Sequence, residues 1–309
     1  MDWSAAEAPL VATRAVHFAA TAITVGDVVF RTAIAAPALR PEATVPTPFA
    51  TPTLRVSWIG LAVAVISGGI WLLLQAVSMS GMPLEALTAD VLSTVINETQ
   101  FGQVTTVRAG LAIWLAACLV YDRVPIVQWL GFAAGLAFVA SLAWCGHAGS
   151  TVGEAGDLHL AADALHLMVA AAWIGGLASL ILFLAAACRS KAVSLARDVV
   201  GRFSIMGMVS VVTLVATGLI NTVILVGSVH ALFVTGYGQL LLLKLVLFAL
   251  MLILALINRF SVTPRLAPSG NDALRRLTRN STIELALGLA ILTVVGGLGT
   301  MHPAIHLVN

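Results

Sequence analysis

One stretch concentrates the side chains able to bind a metal or move a proton. It runs from Trp144 to Leu177, WCGHAGSTVGEAGDLHLAADALHLMVAAAWIGGL, where a loop bearing histidines and acids leads straight into an apolar helix. With Asp157 as the helix N-cap, His159, Asp163, His166 and Trp173 follow at offsets of four, three and seven residues, which puts them on one helical face. Two imidazoles and a carboxylate then form a stripe. Cys145 and His147 precede it and can fold over it, bringing nitrogen, sulfur and oxygen donors into one small volume, the donor mix of a transition-metal site. Asp163 suits the role of orienting a ligating ring. The spacings H-x6-H and H-x11-H match no standard zinc signature, so ligands have to converge from several helices.

The elements that position these residues are membrane helices. Hydrophobic residues make up 60% of the 309, charged residues 10%, and mean hydropathy is +1.01, values foreign to a water-soluble globular protein. The apolar runs predict an all-α bundle of eight transmembrane helices in a single polytopic domain, residues 1–309. The spans are Pro9–Ala36, Leu54–Val77, Thr105–Val120, Ile126–Cys145, Leu158–Ala187, Phe203–Val226, Gly238–Phe260 and Ser281–Thr300. MDWSAAEAPL lacks the basic start of a signal peptide, so the first run is read as a span. Residues 37–53, rich in Pro and Thr, read as a loop. Residues 78–104 form a longer one without a basic residue, part of which can be a short interfacial helix.

Thirteen of the 16 basic residues fall on one side under this threading: Arg31, Arg40, Arg55, Arg123, Arg189, Lys191, Arg197, Arg202, Arg259, Arg265, Arg275, Arg276 and Arg279. The positive-inside rule makes that side cytoplasmic and both termini external, N-out and C-out. None of the seven histidines is then cytoplasmic. His147, His159, His230, His302 and His306 lie in or beside external segments, and His17 and His166 in the outer halves of helices.

An intramembrane ionisable group is a functional candidate. His17 and His166 are therefore candidate metal ligands with His147 and His159, the alternative being helix-bridging hydrogen bonds with Thr21 or Asp163 as partners. Met79, Met82, Cys145, His230, Met301, His302 and His306 are auxiliary candidates. The thioethers tilt the choice of metal from zinc toward copper, although methionine is also ordinary apolar filler. Arg14, three residues before His17, calls for a carboxylate partner, and Asp27 and Arg31 are spaced as an ion pair. Lys244 either tunes a site as a buried cation or snorkels outward. Ser210, Thr213, Thr217 and Asn221 form a polar stripe that either lines a path or joins helices. Gly68, Gly69, Gly175 and Gly176 permit close helix packing. The three cysteines, Cys118, Cys145 and Cys188, give no disulfide framework.

Several motifs together resemble those of the copper resistance protein D (CopD, also PcoD) family: R-x-x-H-F at Arg14, His17 and Phe18; G-H-A at Gly146 to Ala148; and H-L-x-x-A-x-x-W-x-G-G-L from His166 to Leu177. The second half adds R-F-S at Arg202 to Ser204, Y-G-Q-L-L-L-L-K from Tyr237 to Lys244 and N-R-F at Asn258 to Phe260, and residues 202–300 are the most family-typical part. The resemblance implies an eight-span inner-membrane protein that binds copper on the periplasmic side and moves it toward the cytoplasm. It also implies a periplasmic carrier of the CopC type as partner, a carrier that some relatives carry fused. Asp163 stands where some relatives have a further histidine.

The leading expectation is thus a copper-binding membrane permease, not an enzyme and not a nucleic-acid binder, with His17, His147, His159 and His166 as metal ligands and Arg14, Asp163, Trp173 and Lys244 supporting them. No phosphate-binding loop of the kind that drives primary pumps occurs. Two alternatives stand beside it: a membrane redox protein, haem-bearing or copper-dependent, which a visible spectrum distinguishes, and a copper sensor or assembly partner that moves nothing.

Overall fold

The structure, a computed structural model, describes residues 7–39, 50–151, 153–190 and 193–307. The described residues form helices, turns and no strand. Helix α1, Glu7–Val29, continues through a π-helical turn, Phe30–Ala35, into Ala36–Leu39. Then follow α2 (Ala50–Ser80), α3 (Ala89–Glu98), α4 (Gln100–Val120), α5 (Pro125–Ala140, prolonged by the 3-10 turns Ser141–Cys145), α6 (Glu154–Ser190), α7 (Val193–Val226), α8 (Val229–Val234), α9 (Gly236–Ile257) and α10 (Leu266–Leu298). Among the described residues, eight stretches are long and apolar enough to cross a bilayer. The expected loop 37–53 falls largely on residues outside the described ones, as do Arg40 and Lys191.

The helices overrun the apolar segments, because backbone hydrogen bonding continues after hydrophobicity ends. Within 78–104, Thr88 caps α3 by accepting from Val91 N at 3.3 Å. Helix α4 starts at Gln100, five residues before the apolar run. Asp157 is not the N-cap of α6: the helix begins at Glu154, after Gly153 at φ 75°, and Asp157 sits in the first turn, where a negative charge still complements the helix dipole. At its start α10 bends at Gly270, φ 28°.

Because consecutive spans alternate in direction, the bundle has a histidine end and an arginine end. The span ends at residues 120 and 125, 189 and 194, and 265 and 270 lie with Arg55 at the arginine end; those at 80 and 100, 145 and 154, and 226 and 236 lie at the other. Helices α1 and α6 form the centre, with 67% and 61% of their spanning stretches buried, against 11% for α9. Lipid supplies no hydrophobic drive toward association, so contact rests on close packing and internal polar bonds. Gly26 and Gly175 meet at the α1–α6 crossing, where a Cβ on Gly175 would come within 1.9 Å of the Ala22 carbonyl oxygen. Gly68 seats the His17 ring, whereas Gly69 has nothing within 4 Å.

The expected Asp27–Arg31 pair is present at 3.1 Å and belongs to a larger network. Asp27 Oδ1 accepts from Ser179 at 2.6 Å, Asp27 Oδ2 also accepts from Ser57, and Arg31 donates to Asp122 at 2.8 Å. This joins α1 to α2, α6 and the α4–α5 turn at the arginine end.

Gly175→Ala should therefore lower stability by at least about 2 kcal/mol, since the backbones must separate. Gly69→Ala should stay within about 0.5 kcal/mol of wild type. Thermal unfolding of the two variants in one detergent checks the contrast.

Candidate functional site

A cavity of about 470 Å³ opens among α1, α2, α6, α7, α9, α10 and the turns after α5. The stripe on α6 faces it as spaced: His159, Asp163, His166 and Trp173 all line its wall. Cys145 and His147 join from the turns, Arg14 from α1, and Tyr237 and Lys244 from α9.

The hydrogen bonds determine which ring nitrogens can act as ligands. Thr217 Oγ1 gives its proton to the Thr213 carbonyl at 2.7 Å, so at 2.9 Å from His166 Nδ1 it accepts the ring N–H. His166 Nε2 is then a lone pair. Thr151 does the same for His159: it donates to the His147 carbonyl at 3.1 Å and accepts from His159 Nδ1 at 2.9 Å. Both rings are thus set in the tautomer that offers Nε2. His147 donates from Nε2 to the Leu298 carbonyl at 3.4 Å, and its ring meets Tyr237 edge-on at 6.3 Å. Asn221 Nδ2 holds one Asp163 oxygen at 3.0 Å, and Lys244 lies within electrostatic range of Asp163 and His166. Thr217 and Asn221 of the polar stripe of α7 therefore join α7 to α6, and Asn221 also lines the cavity.

His17 lies elsewhere. Its Nδ1 donates to the Ala64 carbonyl at 3.0 Å, beside Ser67 at 3.1 Å, and its Nε2 accepts from Arg108 at 2.8 Å. Arg108, an arginine within a span that sequence reasoning passed over, also donates to the Phe138 carbonyl at 2.6 Å and Ser141 at 2.9 Å, and it lies over the Phe138 ring. Its position inside an apolar run was the signal available. His17 is thus a structural bridge in this conformation, its ligand-capable nitrogen covered by a guanidinium.

Arg14 is 7% exposed, and among the described residues it has no carboxylate partner, contrary to expectation. It rests on Trp71 and Phe18, at 4.9 and 5.6 Å from the ring centroids, and the rings take the place of a counter-ion. Arg14 Nε, Trp71 Nε1 and Asn221 Oδ1 are buried without a protein partner. Each belongs to a residue of the cavity wall.

Among the described residues, no three His, Cys, Asp or Glu side chains sit close enough together to hold one ion. Along α6, His159 and His166 are seven positions apart, about 10.5 Å of rise. Met79, Met82, His230 and His302 are exposed near the histidine end, and Met301 packs beside Tyr237 and Leu298. His306 lies in a 3-10 turn, Ala304–His306. Cys118 is buried against Gly131, and Cys188 is half-buried near the arginine end.

Arg108→Lys should destabilise the protein by about 1–3 kcal/mol, because one ammonium cannot serve His17 Nε2 and the Phe138 carbonyl together. Thermal unfolding in detergent measures it, with wild-type stability as the outcome against the bridge.

A family model described as copper resistance protein D matches residues 197–298, and one for the N-terminal domain of copper resistance protein D-like proteins matches residues 5–157. Copper resistance protein D of Pseudomonas syringae pv. tomato is 30% identical over 271 residues, covering 83% of this chain and 84% of that protein. Inner membrane protein YebZ of Escherichia coli is 30% identical over 247 residues, 76% and 82% of the two chains. Copper transport protein CutJ of Bacillus subtilis is 31% identical over 207 residues, 63% of this chain but 36% of the relative. No solved structure matches. The chain, a multi-pass membrane protein, belongs to the copper resistance protein D family.

Proposed function

We propose that the protein is a copper-binding protein of the bacterial inner membrane that receives copper at its histidine end and passes it toward its arginine end. Relatives named for copper resistance and copper transport support the choice of metal. The observation that carries the reading is the tautomer setting: Thr151 and Thr217 hold His159 and His166 with Nε2 deprotonated on the wall of one cavity. Neutral imidazole is a good copper ligand, and a hydrogen bond to its other nitrogen fixes ring orientation.

The ligands act in sequence, not as one cage. His147 and His159, nearer the histidine end, take the ion first, and His166, two helical turns further along α6 beside Asp163, takes it next. Cys145 offers a soft sulfur to Cu(I) on the same wall. His17 takes part only when Arg108 withdraws. Exposed Met79, Met82, His230 and His302 receive the ion from a periplasmic CopC-like carrier, and Met301 and His306 lie beside that route. Lys244 disfavours a second cation in the cavity.

The reading requires the arginine end to be cytoplasmic, as the positive-inside rule assigns it. A reporter active only in the cytoplasm should be silent when fused after Asn309, and activity there would reverse the direction proposed. Copper X-ray absorption on purified protein should show nitrogen donors that are lost in the His159→Ala, His166→Ala double variant; an unchanged spectrum would sink the ligand assignment. Thr217→Val should weaken copper binding about 10- to 100-fold with the fold intact, because the ring loses its tautomer lock. Measured at equal expression, His166→Ala should reduce copper bound per protein more than His306→Ala, since the ring of His166 is held in place by Thr217.

A further inference from the structure

A second cavity of about 250 Å³ lies toward the arginine end, between α6, α7, α9 and α10. Trp173, 2% exposed, lines both cavities and separates them. The wall of the second cavity is apolar on α6 and most of α7. Its polar members are Ser204, Asn258, Arg259, Thr263, Ser281 and Glu284.

Glu284 stands midway along the span Gly270–Leu298 and is 3% exposed. Its Oε1 accepts from Asn258 Nδ2, and Asn258 Oδ1 in turn accepts from Asn280 Nδ2 at 2.8 Å. Two amides in series therefore position one carboxyl oxygen. Among the described residues the other oxygen has no protein hydrogen bond and no Lys, Arg or His lies within 4 Å of the carboxyl. Arg259, the one other ionisable side chain on this wall, donates to Ser204 at 2.6 Å. An unpaired carboxylate inside a membrane is expensive, and a space this large holds several waters through which a proton can travel.

We propose that Glu284 is a proton-binding site: it holds a proton while the second cavity contains water alone and releases it when a monovalent cation enters. The exchange balances: the carboxylic acid loses its O–H proton, which leaves the cavity through its water toward the arginine end, and the carboxylate left behind neutralises the arriving cation. Copper then enters the inner half of the membrane without adding net charge to an apolar region, past Trp173 as the partition. The second half of this proposal rests on the copper-translocation reading; the first, that the carboxyl carries an exchangeable proton, does not.

Infrared difference spectroscopy on wild type and Glu284→Gln in lipid nanodiscs tests it. Gln retains an oxygen to accept from Asn258, so the variant keeps the local fold; Asn258→Leu, which removes the positioning amide, is the second variant. We expect a protonated-carboxyl band in wild type that falls as pH rises, is missing in Glu284→Gln and is displaced in Asn258→Leu. Cu(I) at fixed pH should diminish the band while wild type and Glu284→Gln bind equal copper at the histidine end. The absence of any Glu284-dependent band overturns the proposal, and copper loading that leaves the band unchanged overturns the exchange. A pH-dependent Glu284 band in a protein that binds no copper supports the proton site and refutes the copper reading instead.

Discussion

Within a bilayer no water is at hand to satisfy a polar group, so every buried charge or hydrogen-bonding side chain must find its partner inside the bundle. That constraint divides this molecule in two. Within the first five spans, two sets of polar groups are paired as locks. Asp27, Arg31, Ser57, Ser179 and Asp122 tie the arginine end together, and His17, Arg108 and Ser141 tie α1 to α4 and the end of α5. With these in place, α1 lies against α6 at the Gly26–Gly175 crossing. The last four spans are not closed in the same way. Two cavities remain among α6, α7, α9 and α10, the first walled also by α1, α2 and the turns after α5, and the carboxyls of Asp163 and Glu284 face them, each held by an asparagine.

The division accounts for one histidine being closed off by its partners while others keep a nitrogen open. His17 is buried, but a carbonyl on one nitrogen and a guanidinium on the other use up both its hydrogen-bonding positions. His159 and His166 each spend one nitrogen on a threonine and keep the other. The difference lies in the partner, since threonine holds a ring without reaching its far side.

The eight spans and the α6 stripe were legible because they follow from local regularities, hydrophobic run length and helical period. Basic residues alternating between span ends showed which ends lie together. What could not be read was pairing across distance. Arg108 meets His17 from 91 positions away, and no periodicity links them. The rings under Arg14 escaped notice for a related reason: charge logic calls for a carboxylate, whereas Trp71 and Phe18 supply a π face. Helix starts were misplaced where polar turns extend a helix past the membrane, as at Glu154 and Gln100. The His17 position could be found from sequence; its engagement could not.

The central claim is that copper travels along the α6 face of the histidine-end cavity, handed from the His147–His159 pair to His166. An experimental structure of the copper-loaded protein in lipid, with the metal located by its own anomalous or elemental signal, tests this most directly. We expect metal in the cavity bonded to Nε2 of His159 or His166, with Nδ1 of each ring still on Thr151 or Thr217. Metal bonded instead only to His302 and His306, or to Cys118 or Cys188 with the cavity histidines unengaged, would contradict it.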